Sequence, residues 1–235
     1  MSMKTLIIIP TYNEKENIEN IINAVFDLRI PDISILIVDD NSPDGTAKIV
    51  ESLQKKFNNL HIIKRAGKLG LGSAYIEGFK FGLKQGFETI IQMDADFSHP
   101  ITKLPEMINL SNEYDFVIGS RYVKGGGVKD WPIIRRILSR GGSLYARLIL
   151  GQRINDFTGG FNTWNKRVLE KINLNQIKSN GYVFQIEMKY RAKKLGFSHI
   201  ETPIIFTDRT AGKSKMSKRI ALEAMVKTIL IKFTK

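Results

Sequence analysis

The sequence predicts an α/β fold, with a mostly parallel sheet flanked by helices. Three observations carry that prediction. Through the first half of the chain, short apolar runs alternate with amphipathic stretches, the rhythm of strands joined by crossover helices. Polar and unusual segments follow directly on those runs, at the edge where an open parallel sheet binds ligands. The 235 residues are 43% hydrophobic and 25% charged, which suffices for a core without staples, and the absence of cysteine excludes disulfides, thiolate metal sites and a cysteine nucleophile.

The elements follow in order. Residues 5–9 read as a buried strand, and Ile18, Ile21, Ile22 and Val25 then fall at helical spacing. Residues 33–38 form the second strand, and 46–57 a helix with Ile49, Val50, Leu53 and Phe57 inward. Strands at 60–64, 89–93 and 115–118 are separated by helices at 72–85 and 103–110. After residue 120 the rhythm breaks. Gly125, Gly126 and Gly127 mark a flexible loop, 131–150 is helical, 161–164 a strand, 184–195 a helix and 200–206 a single strand. A last helix lies within 218–235. No repeat or low-complexity linker interrupts the chain, so one domain spans 1–235, with a first half at 1–119, a second part at 120–217 and an amphipathic C-terminal helix at 218–235.

Charge divides the chain unevenly. Residues 1–119 hold 12 Lys/Arg against 16 Asp/Glu, a net of −4, whereas 120–235 hold 24 against 7, a net of +17. The second half presents either a solvated face or a surface for phosphates, anionic lipid or nucleic acid. Met1 to Lys4 run into the first strand without a cleavage-site pattern, and no apolar stretch approaches the roughly 18 residues of a membrane span. A cytosolic chain is expected, one that can still touch a bilayer. The segment 218–235 interleaves Ile220, Leu222, Met225, Val226 and Ile229 with Arg219 and Lys227, which suits either a docked core helix or a basic helix lying on anionic lipid.

Asp94-Ala95-Asp96 is the strongest chemical signal. Two carboxylates around a small residue at a strand end can reach one hard divalent cation, although solvated turn aspartates share the pattern. Asp39-Asp40-Asn41-Ser42-Pro43-Asp44-Gly45-Thr46 is a second acidic turn. Its Pro, Gly and Thr have turn and cap chemistry, while Asp39 and Asp40 repel each other unless a donor-rich ligand, a nucleobase edge or a ribose, lies between them. Gly70-Leu71-Gly72 lacks the third glycine of a dinucleotide fingerprint, and no P-loop exists near a strand. Any nucleotide must therefore be held by carboxylates, metal and basic side chains.

Together Ile8-Ile9-Pro10-Thr11-Tyr12-Asn13-Glu14, the turn from Val38 to Thr46, Met93-Asp94-Ala95-Asp96 and Gly119-Ser120-Arg121-Tyr122 resemble the inverting GT-A nucleotide-sugar glycosyltransferases of family 2. Within that family they are most similar to the dolichol-phosphate mannose synthases, or polyprenyl-phosphate mannosyltransferases. The resemblance implies a GT-A, Rossmann-like fold and transfer of mannose from GDP-mannose to a dolichyl or polyprenyl phosphate. UDP-glucose as donor is the near alternative, and a non-catalytic basic module that binds nucleic acid or membrane the distant one.

By position, the resemblance implies that Pro10, Tyr12, Glu14, Ile37 and Asp39 line the guanosine pocket. Asp94 and Asp96 would hold Mg²⁺ or Mn²⁺ against the diphosphate, with Ala95 packed beside it. Arg209 and Lys215 would close over the nucleotide phosphates, and Arg121, Arg135 and Ser139 would grip the acceptor phosphate. Asp96 and Arg121 would stand at the reacting centre. Some relatives have Gln two residues after the second metal aspartate; Ser98 stands there, so water fills any third protein position. The implied setting is peripheral, on the cytosolic membrane face, alone or with small membrane subunits, and without nucleic acid. Of the histidines only His99 lies near the metal turn; His61 and His199 are placed at strand edges without a chemical role.

Overall fold

The computed structural model describes residues 3–208 and 218–233. In chain order its strands and helices are β1 (Thr5–Thr11), α1 (Ile18–Asp27), β2 (Ile33–Asp39), α2 (Thr46–Leu53), β3 (Leu60–Lys64), α3 (Leu71–Lys84), β4 (Thr89–Gln92), α4 (Leu104–Leu110) and β5 (Phe116–Ser120). There follow β6 (Gly127–Lys129), α5 (Ile133–Leu150), β7 (Asn162–Asn165), α6 (Lys166–Lys171), α7 (Gly181–Lys194), β8 (His199–Pro203), β9 (Ile205–Thr207) and α8 (Lys218–Phe233).

Seven strands form one sheet in the order β3-β2-β1-β4-β7-β5-β8, parallel except for β7, which runs antiparallel to both neighbours. The chain moves outward from β1 to β3 and returns to β4 on the other side of β1. The order therefore reverses between β1 and β4, the crevice where such sheets take ligands. Strand periodicity divides the core into two layers. Leu6 and Ile8 pack with Tyr75, Phe79 and Phe184 on one face, and Ile7 and Ile9 with Ile18, Ile22 and Val25 on the other. On the first face α3 lies unusually close to the sheet. A Cβ on Gly78 would meet the Ile8 side chain at 2.7 Å, and one on Gly82 the Ile90 side chain at 2.6 Å.

The second half differs from the sequence expectation in four places. The expected strand 200–206 is two strands in two sheets: β8 extends the main sheet, while β9 pairs in parallel with β6. Pro203 has no N–H to continue a ladder, and the next residue, Ile204, donates to Ser120 O instead. The glycine loop also ends in order, because Gly127 opens β6 opposite Ile205. The strand expected at 161–164 is β7, displaced by one residue, and α6 directly after it was not anticipated. Residues 183–190 of α7 are all buried, so the helix carries no amphipathic pattern and starts at Gly181, three residues before the expected position.

The C-terminal helix is docked, as one reading of its sequence expects. Helix α8 docks on α5 and α7, burying Thr228 and Ile231, and Tyr145 donates its hydroxyl to Met225 O. Its other face leaves Met225, Val226, Leu230 and Phe233 exposed. Among the described residues no helix is long and apolar enough to cross a membrane.

Candidate active site

The carboxyl ends of β1, β4 and β5 open into a cleft of about 630 Å³, within the ordinary range for small-molecule sites. Pro10, Tyr12, Glu14, Asp94, Ala95, Asp96, Arg121 and Arg135 all line it. Three other expected site residues do not. Ile37 is fully buried in the core, Asp39 lies beneath the surface with 1% of its area exposed, and Ser139 is buried, its hydroxyl accepting from Tyr122 at 2.7 Å. Arg209 and Lys215 lie outside the described residues.

The first acidic turn is satisfied by the protein itself, which corrects the expectation that a ligand must separate its charges. Asp39 accepts from the Thr11 hydroxyl at 2.8 Å and from the Ser42 N–H and hydroxyl at 2.8 and 2.6 Å. Asp40 pairs with Arg65 at 2.6 Å and takes the N–H groups of Leu69 and Gly70. The two carboxylates face different donor sets, so neighbours in sequence do not confront each other. Asp40, not Asp39, is the one that reaches the cleft wall.

The second acidic turn is built to present its carboxylates. Ala95 is buried between them, whereas the Asp94 side chain is 38% exposed and Asp96 is partly exposed. The Asp94 N–H donates to Nδ1 of His99 at 3.1 Å, and the Ser98 N–H donates to Asp96 at 3.1 Å. His99 is buried, stacks on Phe161 at 4.9 Å, and has its pKa lowered by that burial. Accepting through Nδ1, it is a neutral imidazole with its proton on Nε2. Phe97, between Asp96 and Ser98, sits at φ +58°, a left-handed conformation uncommon for an aromatic residue, and both aspartates of this tight turn line the cleft. Burial, with the negative charge of Asp94 beside it, raises the Tyr75 pKa well above its ordinary value.

The opposite wall is cationic and aromatic. Arg121 grips Asp156 through Nε and Nη2, both at 2.7 Å, and Nη2 also reaches the Thr158 hydroxyl at 2.9 Å. Burial alone would raise the Asp156 pKa, but Arg121 and Lys189 hold it down to about 2. Arg135 lies 3.9 Å over the Trp131 ring and binds both oxygens of Asp208 at 2.8 Å. At the rim Lys68 sits 3.9 Å over the Tyr12 ring. Sequence reasoning missed Asp156, Lys189, Trp131 and Lys68. The run Asn155-Asp156-Phe157-Thr158-Gly159-Gly160 was the one signal that could have flagged the first of these.

The residues fit a divalent cation of limited protein ligation. Asp94 and Asp96 supply hard oxygen donors on one wall, and no group of three acidic or histidine side chains suited to a metal exists among the described residues. Such a pair matches an ion that keeps water and substrate phosphate oxygens as its other ligands.

A sheet that reverses order above paired carboxylates, facing an arginine wall, is the architecture of a nucleotide-sugar transferase. The sequence model of Glycosyl transferase family 2 matches residues 6–173, and the chain belongs to that family. It is 44% identical over 228 residues to the polyprenol monophosphomannose synthase of Mycolicibacterium smegmatis, covering 96% of this chain and 86% of the relative. It is 42% identical to the undecaprenyl-phosphate mannosyltransferase of Micrococcus luteus, covering 95% and 92%. Among solved structures, a mannosyltransferase from Pyrobaculum calidifontis in complex with GDP-Man and Mn²⁺ superposes with TM-score 0.68 at 16% identity, over 100% of this chain and 66% of that one. Glucosyl-3-phosphoglycerate synthase from Mycobacterium tuberculosis superposes with TM-score 0.71 at 13% identity, over 99% and 80%. These two likenesses establish the fold.

Proposed function

We propose that this chain transfers mannose from GDP-mannose to the phosphate of a polyprenyl phosphate, dolichyl or undecaprenyl in type, with inversion at the sugar carbon. The observation that carries the reading is that Asp94 and Asp96 line one cleft together with Arg121 and Arg135. The names of the two relatives above 40% identity supply the sugar and the class of acceptor.

In this reading Asp94 and Asp96 hold Mg²⁺ or Mn²⁺, which when bound offsets the negative charge that builds on the departing diphosphate. Tyr12 and Lys68 hold the nucleotide at the rim, with Pro10 and Glu14 alongside. Arg209, which in sequence directly follows the cleft residue Asp208, and Lys215 add positive charge toward the same phosphates. The acceptor needs no general base. A phosphate monoester with a second pKa near ~6 is already an anionic nucleophile at neutral pH. Arg121 and Arg135 orient that anion opposite the leaving group, and attack from that side inverts the centre. Because Asp156 takes Nε and Nη2 of Arg121, this reading assigns Nη1 to the phosphate.

The acceptor's lipid tail has a surface to approach on. Ile133 and Ile134, more than 70% exposed, and Ile137, Leu144 and Leu148 project from α5 beside the outward face of α8, with Arg136, Arg140 and Arg147 among them. Apolar residues interleaved with arginine suit the headgroup boundary of an anionic membrane. Arg135 and Trp131 join this face to the cleft.

The test is direct. Purified protein with Mn²⁺, a short polyprenyl phosphate and either GDP-mannose or UDP-glucose should yield a mannosylated lipid, and chelation should abolish it. A glucosylated product instead would replace the donor assignment. Salt-sensitive binding to nucleic acid or vesicles without any turnover would overturn the enzyme reading.

A further inference from the structure

Behind the arginine wall lies a buried charge for which the mechanism above has no use. Lys189, on α7, has no exposed surface, and its ammonium donates to three backbone carbonyls: Asp156 at 3.0 Å, Phe157 at 3.1 Å and Gly159 at 2.7 Å. These belong to the loop that carries Asp156, the partner of Arg121, and the cleft residues Thr158 and Gly160. A lysine buried in a helix usually costs stability unless a carboxylate answers it directly. Here Asp156 already answers Arg121, so two buried cations share one buried carboxylate.

We propose that Lys189 is a positioning residue whose three bonds strap the 156–160 loop under Arg121, so that Arg121 is held where the acceptor's phosphate meets it. This deepens the proposed function, since it rests on Arg121 meeting that phosphate. The charges facing Lys189 balance, with Lys189 and Arg121 set against the buried Asp156 and the partly exposed Glu201. From the 151–161 loop comes Asp156, ionised down to about pH 2, and from the end of β5 comes Arg121. From β8 come Glu201, whose carboxylate accepts the N–H groups of Asn155 and Asp156, and His199, whose pKa is lowered by burial. On α7 itself Glu187 is taken by Ser179 and Arg191.

Burial, together with Arg121, pulls the Lys189 pKa down to about 7 against the pull of Asp156 and Glu201. Two consequences run in opposite directions. Above about pH 7 the folded protein loses the charge behind its floor, so its affinity for a phosphate monoester falls, although the ligand itself stays dianionic. Over the same range the unfolded chain still holds the proton that the folded chain has released, so stability rises with pH toward the ordinary 10.5.

Calorimetric titration of the full chain with farnesyl phosphate, without donor, reads the inference independently of turnover. K189M should weaken binding about tenfold, and K189R should stay within about threefold of wild type. Wild-type affinity should decline between about pH 7 and about pH 9 while that of K189R stays level. K189M binding as tightly as wild type, or K189R as weakly as K189M, overturns the proposal, as does failure of the wild type to bind. If either variant fails to fold, the wild type decides alone: affinity and urea stability must move oppositely with pH, and parallel movement overturns it. The transfer assay stands apart, so mannosyl transfer with unaltered K189M binding would refute this inference and leave the function intact.

Discussion

The two acidic turns of this protein look alike in sequence and do opposite things in the fold. Asp39-Asp40 and Asp94-Ala95-Asp96 both follow a buried strand at the same edge of one sheet. Asp39 and Asp40 are 1% and 6% exposed, and the protein's own hydroxyls, N–H groups and Arg65 occupy their oxygens. Asp94 and Asp96 open onto the cleft, braced from behind by His99 and the Ser98 N–H. One pair builds the wall and the other presents charge to a ligand. A carboxylate's role is thus decided by whether the fold brings it donors, and a buried carboxylate lacking them would not stay ionised.

The sharpest way to break this comparison is to neutralise the presented pair. Asp96→Asn keeps an oxygen for the Ser98 N–H, so the turn should survive. Transfer should nevertheless fall about a thousandfold or more, near ~4 kcal/mol of transition-state stabilisation, with the melting temperature almost unchanged. Asp94→Asn should behave likewise. Activity within about tenfold of wild type, measured at saturating Mn²⁺, would place the charge that matters elsewhere.

Neutralising the walled-in pair should give the reverse outcome. Asp40→Asn takes from the Arg65 side chain, 4% exposed, its buried counter-charge at 2.6 Å and leaves it the half-exposed Glu77 at 3.2 Å. Urea denaturation should show a loss of about 3 kcal/mol, while the molecules that remain folded keep transfer within about tenfold. A folded Asp40→Asn protein without activity would mean that this carboxylate, which does touch the cleft wall, belongs to the ligand site after all.

What could be read from the sequence follows the same division. β1, β2 and β4 were legible because strands buried on both faces are written as unbroken runs such as Leu6-Ile7-Ile8-Ile9. Asp94 and Asp96 were legible because their spacing is local. The sequence could not show that Asp40 belongs to Arg65, Leu69 and Gly70, because those donors lie 25 to 30 residues away. Lys189 was hidden more deeply. A helix buried on every side has no period to read, and lysine within it gives every local sign of facing water. β6, three residues long, was too short to stand out from loop, and β9, equally short, ran together with β8 in one apolar stretch.

The smallest expected effect concerns Asp44, the third carboxylate of the first turn, and it sharpens the comparison by pH. Asp44 accepts from the Thr46 N–H and hydroxyl and from the Lys15 N–H, closing the entry to α2. Burial pushes its pKa up, but these hydrogen bonds outweigh it and hold the value below the ordinary 3.8. A carboxylate more acidic in the folded chain stabilises that chain above 3.8, and the contribution is lost as pH falls through the folded value. Asp44→Asn should therefore cost about 1 kcal/mol at neutral pH, the scale of a helix-entry hydrogen bond, with transfer unchanged. The gap between wild type and variant in urea denaturation should close below about pH 4. A gap that persists into acid would assign the cost to lost shape, and the first turn would then be held by packing rather than by the ionised carboxylates that set it apart from the second.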